Sequence, residues 1–302
     1  MKEFNANSIT KKSNFILNII FMIYTLFCLV PLILALIVSF TDENIINTYG
    51  YSFFPRKLSF ASYQYVLLNG RAIINAYGIT IFNTVVGTFL SLIVIALFAY
   101  PISRKEFKYR YFFTFLVFFT MLFSGGMVPW YLVCTQVLHL KDTIWAMIIP
   151  YLMNGWYVII MRTFFATTIP DSIVEAAKID GAGDFKTFMV IVLPLAKPVL
   201  ATVGLFITLT YWNDFWLPMM LINKDGLLSL QYTMVKIQTN IAYLTQINSA
   251  AGGGNVAGVI AAIPTETVRM AMAVMAIGPI VIAYPFFQKY FVKGLTIGAV
   301  KG

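Results

Sequence analysis

Charge, histidine and cysteine are all scarce in this 302-residue chain, and each scarcity removes a class of explanation. Only 11% of residues are charged, with 12 acids against 21 Lys and Arg. Length alone would allow two soluble domains, but so few charges cannot clothe two water-facing surfaces. The single histidine, His139, has no cluster of possible ligands around it, so no metal site is expected. Cys28 and Cys134 both fall in apolar stretches, where two buried thiols are expected rather than a disulfide. A phosphate-binding loop is missing as well. Residues 181–187, Gly-Ala-Gly-Asp-Phe-Lys-Thr, have its outline, but no glycine directly precedes Lys186, and a strand-loop-helix setting is lacking. No basic patch with interleaved aromatics appears, which argues against a nucleic-acid partner. No catalytic residue is assigned.

What fills the chain is hydrocarbon. Hydrophobic residues make up 60% of it and the mean hydropathy is +0.81. Several apolar stretches reach the roughly 18 residues that a membrane crossing needs. The expected fold is an all-α polytopic membrane protein with six transmembrane helices, near residues 15–40, 75–103, 111–132, 142–162, 195–220 and 268–290. The first span lacks a small-residue cleavage site and reads as a retained anchor. Pro31 can bend it without ending it. The third is expected to break near Gly125, Gly126 and Pro129, and a short helix is expected around Tyr63, Gln64 and Tyr65. Asn75 and Asn83 in the second span should prefer a helix interface or a pathway over lipid.

Basic residues test the topology. With the amino terminus in the cytoplasm, 14 of the 21 fall on the inner face or the adjoining span ends, including Lys11, Lys12, Arg104, Lys105, Lys108 and Arg110. This bias places both termini and residues 170–190 inside the cell, and residues 223–267 outside as the largest external loop. One transmembrane domain, residues 1–302, is the economical description.

Residues 170–198 are the most conspicuously mixed run. Pro170 and Asp171 mark a helix start, Glu175, Ala176 and Ala177 continue it, and Gly181 and Gly183 interrupt it before a second helical run reaches Pro194. By itself this pattern describes a compact plug or a plain hairpin between two spans. Glu-Ala-Ala, then Asp-Gly-Ala, then Leu193-Pro194 resembles the coupling motif of membrane subunits in binding-protein-dependent ABC importers. The resemblance implies a type I importer fold whose cytoplasmic helix-turn-helix docks into a cleft on an ATPase. Glu175, Asp180 and Phe185 would supply charged and apolar contacts, Ala176 and Ala177 close approach, and Gly181 the turn, with Ala182, Leu193 and Pro194 completing the coupling set.

The other end agrees. Lys293-Gly294-Leu295-Thr296, ending in Lys301-Gly302, resembles the tail of maltose-type (MalG-like) sugar permeases, which inserts between two ATPase subunits. Residues 291–302 are therefore expected to be a cytoplasmic tail. Ser124-Gly125-Gly126-Met127-Val128-Pro129, Leu140-Lys141-Asp142-Thr143 and Arg162-Thr163-Phe164-Phe165 resemble oligosaccharide and polysaccharide permeases of the LplB/YtcP type. The resemblance implies a plasma-membrane subunit that pairs with a homologous permease, two ATPase subunits and an extracytoplasmic solute-binding protein. ATP and Mg²⁺ would be bound by the ATPases, and no cofactor by this chain. The long segment 223–267 is the candidate surface for the binding protein.

A pathway for glycan is sought in span five, at Trp212, Asn213, Asp214 and Trp216, together with Asn83. Two readings of Asp214 stand: a polar group lining the passage, or a carboxylate at the outer mouth within an aromatic belt. The competing function is an ion-coupled secondary carrier, for which Asp214 would be the one candidate ligand.

Overall fold

A computed structural model describes residues 11–68, 70–250 and 265–299, and among them the regular structure is helical. Residues 301 and 302 of the proposed tail lie outside the described residues, as does the glycine triplet at 252–254. Among the described residues, three helices are long and apolar enough to cross a membrane unaided, and three further spans arise if each bent helix pair counts as one.

The chain divides into two compact units. One holds α1 (Lys11–Ser39), α2 (Glu43–Tyr49) and α3 (Ala61–Leu68), with residues 241–277. α1 carries Pro31 without interruption. α1 is exposed along most of its length, Cys28 included, which corrects the expectation of two buried thiols; only Cys134 is buried. After α1 the chain folds back on itself. Phe40 stacks on Tyr63 at 4.8 Å, and Ser62 Oγ donates to the Ser39 carbonyl at 2.6 Å. The expected helix around Tyr63 is α3.

Glu43, at the start of α2, holds the beginning of the last helix, α14 (Thr265–Ala299). Its carboxylate accepts from the N–H groups of Thr265, Glu266 and Thr267 and from both threonine hydroxyls, at 2.7 to 3.1 Å. A helix start has free N–H donors, and a carboxylate is their natural partner. Burial alone would raise the Glu43 pKa, but the Glu266 and Thr267 N–H groups outweigh it and hold it below its ordinary value. α14 continues to Ala299, so the expected tail is for most of its length a continuation of the last helix.

The second unit spans residues 70–240 and 278–302 and is built around α4 (Gly70–Ser103). α4 packs against α7 (Gly155–Thr168) and α11 (Lys197–Trp212). Small residues on its buried face, Gly87, Ser91, Ala96 and Ala99, let the backbones approach closely. Gly87 is required there: a Cβ would sit 2.5 Å from the Tyr211 ring. Tyr211 in turn donates to the Ile148 carbonyl at 2.9 Å and meets Ser91 Oγ at 3.1 Å, which satisfies its buried hydroxyl.

Three expected spans are less regular than their hydropathy implies. α5 (Arg110–Leu122) stops at the anticipated glycines, with Gly126 at φ +87°, and the following stretch, α6 (Met127–Leu132) plus a π-helical turn to residue 137, departs by 114°. Span four starts two residues after Asp142, at Ile144. Asp142 lies in a turn at φ +58°, and its carboxylate accepts from the Asn223 and Lys224 N–H groups. Helical structure begins at Ile144 as 3₁₀ turns, then bends by 49° into α7. Within the segment 223–267, α13 (Leu230–Ala250) occupies 21 residues, and residues 251–264 lie outside the described residues.

Candidate functional site

The run at 170–198 forms the expected helix, turn and helix. α8 (Asp171–Ile179) follows Pro170, with acidic Asp171 in its first turn and Lys178 in its last, both matching the helix dipole. It ends in a complete glycine cap. Gly181, at φ +79°, donates its N–H to the Lys178 carbonyl at 3.0 Å, and Ala182 N–H donates to the Ala177 carbonyl at 2.9 Å. This pair of bonds is the Schellman arrangement, and a left-handed residue is its requirement. The chain resumes as α9 (Asp184–Thr187), passes through a π-helical turn at 188–192 and α10 (Leu193–Leu195), and turns by 80° into α11. Pro198 sits in the first turn of α11, where its missing N–H costs nothing.

One face of this unit is anchored. Val174, Phe188 and Val192 belong to the main apolar core, and Phe188 lies 5.0 Å from the Tyr100 ring. Ala177 is also buried, so it serves the internal contact and not an outside one. The other face is open. Glu175, Ala176, Asp180 and Pro194 are exposed, Ala182 and Leu193 are half-buried, Ile179 is 86% exposed and Phe185 68% exposed. Ile179 was not singled out from the sequence, although its apolar side chain two residues before the glycine break was the available signal. The Lys178 ammonium contacts Glu106 directly and lies 3.5 Å from Asp184, and the Glu106 hydrogen bond is the main reason its pKa is raised. A cavity of about 470 Å³ lies behind this face, lined by Tyr100, Arg104, Glu106, Lys178, Phe185 and Phe188.

The span-five cluster is arranged differently. α11 ends at Trp212, and α12 (Trp216–Leu221) begins after a three-residue break. Asp214 is 8% exposed and its Oδ1 accepts from Tyr151 OH at 3.2 Å, Trp216 N–H at 3.0 Å and Leu217 N–H at 3.2 Å. It thereby caps α12 and ties it to the 3₁₀ turn at 149–151. Trp212 is buried, Asn213 is exposed, and Trp216 rests against Trp130 with ring centres 4.6 Å apart. Asn83 is buried on α4, with its Nδ2 3.3 Å from Met147 Sδ. Lys293, Gly294, Leu295 and Thr296 fall within α14.

Residues 79–297 match the family of binding-protein-dependent transport system inner membrane components. The chain belongs to that family. It is 36% identical over 281 residues to the polygalacturonan/rhamnogalacturonan transport system permease protein YtcP of Bacillus subtilis (strain 168), covering 93% of this chain and 95% of YtcP. It is 37% identical over 274 residues to Protein LplC of the same organism, covering 91% and 90%. Among solved structures it resembles a chain of a bacterial ABC transporter involved in the import of the acidic polysaccharide alginate, with TM-score 0.76, 32% identity and 94% and 99% coverage. The fold is that of a type I ABC importer permease, and the chain is a transport component of the inner membrane and not an ion-coupled carrier.

Proposed function

We propose that this chain is one of two homologous permease subunits of an importer for an oligosaccharide or polysaccharide fragment, with residues 170–190 as its cytoplasmic coupling element. Six spans with both termini inside follow from the charge bias, three of them broken as described. Two ATPase subunits would bind ATP and Mg²⁺, an extracytoplasmic protein would deliver the glycan, and this chain would bind no cofactor. ATPase closure would be transmitted through the coupling element and switch the membrane cavity from outward to inward access. The observation that carries the reading is the exposed pair Ile179 and Phe185 around the Gly181 turn, on a unit whose opposite face is built into the core. Two large apolar side chains held out in water at a rigid turn fit a groove on a partner. The glycan assignment rests on the likeness to polysaccharide permeases.

Reconstitution tests this. The complete complex in liposomes should import oligogalacturonides or alginate oligomers only with hydrolysable ATP, and the isolated permease should hydrolyse none. Uptake by the permease alone, driven by a proton gradient, would overturn the proposal.

A further inference from the structure

The turn between α4 and α5 touches α8 at both ends, and the two attachments differ in kind. At the start, Arg104 is 9% exposed and its guanidinium donates to the Phe165 carbonyl at 2.8 Å, the Ile169 carbonyl at 3.5 Å and Asp171 Oδ1 at 3.3 Å. It therefore caps the end of α7 and pairs with the first residue of α8 in one group. Lys105 reinforces it at 3.2 Å from the other oxygen of Asp171. At the far end the only attachments from charged groups, among the described residues, are those of Lys178 to Glu106 and Asp184. There the side chains are open: Glu106 is 63% and Lys178 38% exposed.

Burial decides which end is firm. Arg104 is fixed to the end of α7, because a buried guanidinium on two backbone carbonyls cannot leave without stranding buried acceptors, and only residues 169 and 170 separate that end from α8; the ion pair to Asp171, itself 48% exposed, adds to this covalent tether. An exposed ion pair is screened and contributes little, so it opens readily. Between the two ends lies the cavity of about 470 Å³, lined in part by Val174 and Lys178, which leaves α8 room to move.

We infer that residues 104–106 form a second half of the coupling element, in which Arg104 is a fixed pivot for α8 and Glu106 a releasable latch on its far end. The inference rests on the coupling role proposed for residues 170–190. Movement of the ATPase surface would be converted into rotation of α8 about Asp171 and passed through Arg104 to α4, the helix on which the second unit is built. Both Arg104 and Glu106 are positioning residues; neither touches a transported molecule.

The test uses the full importer complex with Cys28 and Cys134 replaced and nitroxide pairs at positions 108 and 172 or 108 and 183; Gly183 lies just past the far end of α8, is exposed and has open space for a side chain. Between the nucleotide-free and the vanadate-trapped states, the 108–183 distance should change and the 108–172 distance should not. In Glu106→Gln, which is exposed and leaves the fold intact, the released 108–183 distance should be populated about two- to five-fold more without nucleotide. Against an Asp184→Asn reference, Glu106→Lys should show the same release, and adding Lys178→Glu should restore the latched distance. Equal change at both pairs, no change at either, or no recovery in the swapped variant would overturn the inference. Should Gly181→Val leave ATP-driven uptake at the wild-type level, the coupling reading itself fails; a normal Gly181 dependence with immobile 108–183 distances removes only the pivot and latch.

Discussion

At residues 180–183 the chain breaks a helix with Gly181 at φ +79° and leaves Ile179 and Phe185 in the open; at 213–215 it breaks another and seals Asp214 inside. Both breaks carry an aspartate, Asp180 in the first and Asp214 in the second, so the presence of that residue does not separate them. Their hydrogen bonds do. The first is capped by backbone bonds and crossed by the exposed ion pair of Lys178 with Asp184, which leaves Ile179 and Phe185 free to meet something else. The second spends its carboxylate on its own chain, with three donors converging on one Oδ1. A break that satisfies itself through the backbone can serve as a contact surface, whereas one that needs its charged side chain internally is committed to architecture.

The largest expected effect follows from that commitment. Asp214→Ala strips the acceptor from the Trp216 and Leu217 N–H groups and from Tyr151 OH, and should destabilise the permease by roughly 3 kcal/mol. Asp214→Asn keeps an amide oxygen at the same place and should lose much less. Thermal unfolding of both variants in detergent reads the difference. Wild-type melting of Asp214→Ala together with a changed dependence of uptake on glycan concentration would return Asp214 to the pathway and erase the contrast.

The sequence showed a membrane protein, its unbroken long spans and the glycine-ended α8, because each rests on local signals: hydropathy over about 20 residues and a left-handed turn. It did not show that Asp142, just before span four, serves as an acceptor for N–H groups at 223 and 224, more than 80 residues away in the chain. The same blindness to distant partners hid Glu43 and Arg104. Each is an unremarkable surface-type charge in the sequence, and each holds the end of a helix to which it has no local connection. Within segment 223–267 nothing in the sequence signalled α13, whose Gln, Asn and Thr residues lack a strong helical pattern. Residues 293–296 resembled a tail, and the helix simply continues through them.

Gly181→Val comes next in size and attacks the other break. A β-branched residue at φ +79° costs about 1–2 kcal/mol in strain, and the open surroundings offer no steric reason for further damage. The permease should therefore still insert and melt within a few degrees of wild type, while the angle between α8 and α9 changes. In the reconstituted complex, uptake per ATP hydrolysed should fall about ten-fold, since transmission depends on positioned contacts. Equal loss of thermal stability and of coupling would show the turn to be architectural after all, like Asp214.

The smallest effect belongs to Glu175, and its sign pattern is more informative than its size. Glu175 is exposed, one turn into α8, with no ion-pair partner among the described residues. Its own chain does not need it. If the open face meets a basic ATPase surface, Glu175→Ala removes an attraction and Glu175→Lys replaces it with repulsion, so the two should weaken ATPase association in that order. At low salt the separation should be about two- to five-fold in affinity, and it should shrink as added salt screens both. Direct interaction with lipid or with the binding protein predicts no such ordering. Titration of purified ATPase subunits onto permease in nanodiscs, at two salt concentrations, gives the comparison. Identical affinities for wild type, Glu175→Ala and Glu175→Lys would confine the docking contact to the apolar pair Ile179 and Phe185, and the charges on this face would then serve only to keep those side chains in water.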